Sequence, residues 1–143
     1  MAIADIWNRV IRETAITFTT REKTPEDVPL ANTHVLASGE RCLGFTNHAP
    51  FRAGPGYRFT HEITIYLDHT QCGQGHGDAL LLPLFEECRA AGLHSLIAGL
   101  AGDNTRAFRF FARHGFKTVA EIPEAGEKFG HWHDLVLMQR MLA

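Results

Sequence analysis

The sequence predicts a layered α/β (α+β) domain, and three observations carry that prediction. Segments with helical patterning alternate with runs rich in β-branched and aromatic residues. Glycine, proline or polar stretches punctuate the junctions between them. The resulting order, α-β-β-β-α-β-α-β-β, contains no internal repeat and no low-complexity segment. At 143 residues the chain, 1–143, reads as one domain large enough to bury a single substantial core.

Ile3, Ile6, Trp7, Val10 and Ile11 recur at i, i+3, i+4, i+7 and i+8, which predicts an amphipathic helix preceded only by Met1. The polar segment Thr20–Asn32, with two prolines, reads as a loop that has room for one helical turn. "THVLA" and "CLGFTNHA" read as strands joined by the turn "SGER", and Pro50–Gly56 as an irregular loop. Tyr57–Leu67, "YRFTHEITIYL", predicts a long strand. The helix that follows carries the stripe Leu81, Leu84, Phe85 and Cys88 and ends at Gly92. Pro83 lies inside it and predicts a kink or a late start. "HSLIAGLA" is a further strand. "TRAFRFFARHGF" is a helix with Asn104 as N-cap and Gly115 just past its end. "FKTVAEI" and "HWHDLVLMQRML" are the last two strands, joined by the loop "PEAGEKFG".

Composition excludes several classes. A net charge of −2 argues against nucleic-acid binding, and no apolar run approaches the ~20 residues that span a bilayer. The N-terminus lacks a basic start and a continuous apolar stretch, so no signal peptide is expected. Cys42, Cys72 and Cys88 are odd in number and far apart, which predicts reduced thiols in a cytoplasmic protein. His131 and His133 share a strand face, but no third ligand has suitable spacing, and no metal site is expected.

Gly73, Gly75 and Gly77 alternate between the strand "ITIYL" and the following helix. Glycine permits close approach of a backbone, and the first N–H groups of a helix have no internal partner. That pairing reads as a phosphate cradle, with a flexible turn as the plain alternative. Glu62 is a carboxylate inside a strand, on the face shared by Thr60, Thr64 and Tyr66; from the residues alone it reads as a surface residue of a one-sided sheet.

The strand "ITIYL", then "CGQGHG", a helix, a strand, "GDN", a helix ending in "HGF" and a final strand together resemble the GNAT family of acetyl-CoA-dependent N-acetyltransferases. Within it, "YRFTHEITIYL" and "KFGHWHDLVLMQR" resemble the phosphinothricin and methionine-sulfoximine acetyltransferase group, and the likeness covers roughly residues 3 to 142. The resemblance implies a mixed, centrally splayed sheet flanked by helices. Against that pattern the first edge strand is expected to be missing, unless the true start lies upstream of Met1, and the second helix to be shortened to "PEDVPLAN".

Function follows from the same resemblance. The expected reaction is acetyl transfer from acetyl-CoA, as co-substrate, to the primary amine of a small amino-acid analogue. Another amine, such as a polyamine or a protein N-terminus, and a non-catalytic acyl-CoA-binding module stay open. Gly73, Gln74, Gly75, His76, Gly77 and Asp78 are expected to hold the pyrophosphate through their amides. Ile65, Tyr66 and Leu67 are expected to meet the pantetheine arm through main-chain groups, and Asn104 to contact the cofactor as well as cap its helix. Glu62 becomes the expected base. Arg52, Tyr57, Arg58 and Lys128 are candidates to receive the substrate's anionic group, with solvated surface cations as an equal alternative. Cys72 departs from the family's glycine-loop motif, and Phe111 stands where many members carry a tyrosine. A homodimer is expected, because the final strand and the depleted N-terminal edge are both pairing surfaces.

Overall fold

The hydrophobic residues of the chain collect on both faces of one twisted sheet, and each face is covered by helices. The computed structural model describes residues 2–142; Met1 and Ala143 lie outside them. The elements are α1 (Ala2–Glu13), β1 (Thr33–Ser38), β2 (Arg41–Pro50), β3 (Thr60–Leu67), α2 (His76–Ala90), β4 (Ser95–Ala101), α3 (Thr105–Arg113), β5 (Lys117–Lys128) and β6 (His131–Met141). The six strands run in the order β1-β2-β3-β4-β6-β5. β3 and β4 pair in parallel and every other neighbouring pair is antiparallel, so the sheet is mixed. β1 and β5 form the two edges.

Two cores result. On one face Leu81, Leu84, Phe85 and Cys88 of α2 pack with Ile63, Leu96, Ala98 and Met138 of the sheet and with Phe111 and Phe116. On the other, Ile3 and Ile6 of α1 pack with Phe45 and Val28, joined by Trp7 and Tyr66. Burial pushes the Cys88 thiol up to about 11, so it behaves as a small apolar side chain. All three cysteines are free.

Three boundaries differ from the sequence expectation. β3 begins at Thr60, because Pro55–Tyr57 form a 3-10 turn whose carbonyls take up the Tyr57–Arg58 region. α2 is helical from His76 through Pro83, without a late start. Pro83 and Ala79 are both exposed, so the Ala79 carbonyl that loses its helical partner is open to water. The expected loop "PEAGEKFG" is mostly strand: β5 continues to Lys128 and absorbs extra residues in a bulge between Ile122 and Gly126. Glu124 takes φ 51° there, and its N–H donates to Asp134 Oδ1 at 2.8 Å. The hairpin then closes through Phe129 and Gly130, both at positive φ, the geometry of a tight two-residue turn.

The segment after α1 is tied back onto it. Asn8 accepts from the Lys23 N–H at 2.6 Å and donates to the Lys23 carbonyl at 2.9 Å. Lys128, 1% exposed, donates from Nζ to the Thr17 carbonyl at 2.7 Å. Together these bonds hold residues 16–24 against the sheet. Replacing Asn8 by alanine removes both main-chain bonds at once, and a destabilisation of roughly 1–3 kcal/mol is expected. A thermal melt in which Asn8→Ala keeps the parental midpoint would show that the segment is held by other contacts.

Candidate active site

β3 and β4 run together only over Thr60↔Ser95 to Ile63↔Ala98. Beyond that point each strand stays with its outer neighbour. β3 keeps pairing with β2 as far as Leu67↔Gly44, and β4 with β6 as far as Ala101↔Leu135. The sheet therefore splits at its centre. A cavity of about 330 Å³ opens in the split and reaches both faces. Trp7, Thr17, Lys23, Glu62, Thr64 and Tyr66 line it on the α1 side, and Ile65, Asn104, Ala107 and Phe111 on the side of α2 and α3.

Glu62 projects into this split. A Cβ on Gly99 of β4 would lie 3.1 Å from Glu62 Oε2, so the carboxylate rests over a glycine that leaves it room. Glu62 is solvent-accessible, yet the cavity walls remove enough water to push its carboxyl above the ordinary value of 4.5. Such a shift moves a carboxylate towards the pKa suited to a general base near neutrality. Tyr66, two residues beyond Thr64 on the same face, packs edge-on against Phe45 at 6.0 Å. Desolvation raises its phenol, a hydrogen bond with Thr17 opposes this, and the nearby Glu62 charge adds to the rise.

The opposite end of the site is built from main chain. Over residues 64–67 the β4-facing edge of β3 is unpaired, so Ile65, Tyr66 and Leu67 border the split with free backbone groups. After β3 the chain makes a 3-10 turn, His69–Gln71, and reaches Gly75 at φ 79°, the N-cap of α2. No side chain caps that helix. Among the described residues the N–H groups of Gly75, His76, Gly77 and Asp78 meet no protein acceptor, which leaves them free to receive an anion. Gly73, also at positive φ, leaves the loop open with Arg106 of α3 nearby: its added Cβ would lie 3.9 Å from Arg106 Nη2. Asn104 caps α3 by accepting from the Ala107 N–H at 3.1 Å and also lines the cavity, so both helix N-termini address the same end of the split.

Two loop residues have other tasks. A Cβ on Gly77 would lie 2.7 Å from Phe110 Cε1, so this glycine lets α2 and α3 pack closely. Asp78 accepts from His114 at 2.7 Å and Arg113 at 2.9 Å, bonds that hold its pKa below the usual carboxylate range. Its charge is thus paired towards α3. Gln74 donates to the Thr70 carbonyl at 3.3 Å and His76 bonds Gln71 at 3.1 Å, both within the loop itself.

The expected anion receivers are scattered. Arg52, Tyr57 and Arg58 are exposed on the segment before β3 and do not line the cavity. Arg52 lies over the Tyr57 ring and Arg58 over Phe59. Lys128 is buried and engaged with Thr17. Lys23, which the sequence reading passed over inside a polar loop, does line the cavity. Phe111 is buried in the wall and has no proton to give. His133 bonds the Lys128 carbonyl at 3.1 Å, and among the described residues no group of three potential metal ligands is gathered.

Known proteins match this chain in both sequence and fold. The signature of the Acetyltransferase (GNAT) family matches residues 5–116. The chain is 34% identical to a phosphinothricin N-acetyltransferase of Streptomyces coelicolor, covering 98% of this chain and 89% of that one. It is 31% identical to an L-methionine sulfoximine/L-methionine sulfone acetyltransferase of Salmonella typhimurium, covering 99% and 88%. The solved yncA protein of Salmonella typhimurium, with its cofactor acetyl-CoA, superposes with a TM-score of 0.92 at 29% identity over 98% of this chain and 86% of that one. This chain belongs to the GNAT acetyltransferase family.

If the cradle works through amides, Gln74→Ala should leave coenzyme A affinity within about threefold. Gly75→Val should abolish it, because a β-branched residue resists this φ and blocks backbone approach. Calorimetry that finds parental affinity in a folded Gly75→Val protein would place the phosphates elsewhere.

Proposed function

We propose that this chain, acting as one domain, transfers an acetyl group from acetyl-CoA to the primary amine of a small amino-acid analogue of the phosphinothricin or methionine sulfoximine type, with Glu62 as the base. The observation that carries the reading is the position of the Glu62 carboxylate over Gly99, at the point where β3 and β4 part. The names of the relatives support the amine class.

Acetyl-CoA supplies an activated acyl group; the protein must supply a neutral amine beside it. An alkylammonium holds its proton at neutral pH, so a base must remove that proton before nitrogen can attack. Glu62 is the acidic residue of the cavity wall, and its raised pKa strengthens it for that task. The uncapped amides of α2 and the unpaired edge of β3 support a cofactor lying along the other side of the split. Phe111 has no proton to give, so the sulfur leaves as thiolate or takes its proton from water. Binding and chemistry thus use opposite faces of one opening.

Glu62→Gln keeps the shape of the side chain and should leave acetyl-CoA binding intact. Acetyl transfer should fall by roughly 10²-fold or more, with the loss shrinking at high pH, where hydroxide and free amine replace the missing base. Matching pH–rate profiles for the two proteins would remove Glu62 from the mechanism. Stability should move the other way. A carboxyl whose pKa is raised on folding contributes stability that is lost as pH rises from 4.5 through the folded value. Glu62→Gln should therefore melt higher than the parent at pH 7, and the gap should close below pH 4.5. A gap that stays constant between pH 4 and pH 7 would contradict the desolvation.

The protein is further read as a cytoplasmic homodimer. β1 leaves one side of its backbone unpaired at the sheet edge, with Val35 exposed, and such an edge favours pairing with another chain. Light scattering at micromolar concentration is expected to give twice the monomer mass; a monomer mass would reject the assembly.

A further inference from the structure

Two charged side chains of opposite sign line the α1 side of the cavity: Glu62 and Lys23. Glu62 has been assigned to the amine. Lys23 has no role in that scheme, yet it is the only basic residue among the described residues lining the opening. Its neighbours in sequence point elsewhere: Arg21 is exposed, and Glu22 accepts from Arg12 at 2.5 Å. Lys23 turns inward, half-buried, with Nζ 4.9 Å from the centroid of the Trp7 ring. Trp7 itself packs against Phe45 at 5.4 Å and Tyr66 at 6.3 Å, so the ring beneath the ammonium is fixed.

The main chain beneath Lys23 is fixed as well, by its two bonds to Asn8. Among the described residues no carboxylate lies within ion-pair range of Lys23 Nζ. Asp27 feels it only at a distance and is bonded to Thr24. The result is an ammonium on a half-buried side chain, held over an aromatic face. A cation–π contact satisfies part of its charge but none of its three hydrogen-bond donors.

We propose that Lys23 is the anion-binding residue of the amine site, so that the preferred substrates are amines carrying a carboxylate or similar anionic group close to the nitrogen. This rests on the α1 side of the cavity being where the amine binds. A zwitterionic substrate would then lie with its nitrogen towards Glu62 and its anion towards Lys23, each charge meeting its opposite. The same arrangement disfavours polyamines, whose second cation would face Lys23. Lys23 is a specificity residue; it takes no part in proton transfer.

L-methionine sulfone and its carboxamide, which differ by one charge, are the probes. Calorimetry on the coenzyme A-loaded protein reads their affinities, and steady-state kinetics reads transfer. The parent should prefer the carboxylate by about tenfold or more, the scale of one charge-assisted hydrogen bond. Lys23→Ala should erase that preference by weakening the carboxylate alone, Lys23→Arg should restore most of it, and acetyl-CoA affinity should not change. Both variants keep the Asn8 bonds, which use only main chain at position 23. A Lys23→Ala protein that retains the preference, or a parent that binds both probes equally or neither, overturns the assignment. Failure of the parent to acetylate any amine counts against the proposed reaction, whereas turnover without charge preference counts against Lys23 alone.

Discussion

The structure depends on one interruption: β3 and β4 stop pairing after Ile63 and Ala98. Backbone N–H and C=O groups in a protein interior need partners, and a split in the middle of a sheet leaves a row of them without any. Here the outer neighbours hold the two strands apart. β2 stays in register with β3 to its end, and β6 does the same for β4. A sheet held from both sides can sustain an opening that an isolated pair of strands would close. The unpaired edge of β3 then becomes a binding surface.

The groups assigned to the site are arranged around that opening. Because β3 and β4 are parallel, the helices that follow them, α2 and α3, begin at the same end of the sheet. The free amides of α2 and the positive dipoles of both helices meet where an anionic ligand fits. On the other face α1 and its strap supply Trp7, Thr17 and Lys23, and the strap is held by Asn8 and Lys128. Glu62 is the group that looks into the opening from the α1 side, and Gly99 is the residue on β4 that makes space for it. Desolvation raises the energy of the Glu62 charge, and that same cost makes the group a stronger base.

Much of this was legible in the sequence because it is local. Helical and strand periodicity located α1, β1, β2, β4 and α3, and the glycines before α2 marked an uncapped helix start. What depends on distant contacts was not legible. Gly77 sits in the loop pattern, but its near neighbour is Phe110 on α3. Asp78 lies within the loop pattern, but its carboxylate is paired with His114 and Arg113 some thirty-five residues away in sequence. Pro123 and Gly126 read as loop, whereas a bulge carries them within β5. Arg52, Arg58 and Lys128 follow from residue type and resemblance, and neither says which cations face a cavity. Lys23 does face it, and only its contact with Trp7 and the tether to Asn8 reveal that.

The central claim is that the two substrates approach from opposite faces and meet at the split. A crystal structure of the protein with coenzyme A and L-methionine sulfone tests it directly. The account predicts phosphates on the amides of Gly75–Asp78, the pantetheine chain along residues 64–67 of β3, and its sulfur at the split, with the amine nitrogen on the Glu62 side. A cofactor bound away from the β3–β4 opening, or a sulfur and an amine on the same face with Glu62 remote from both, would contradict it.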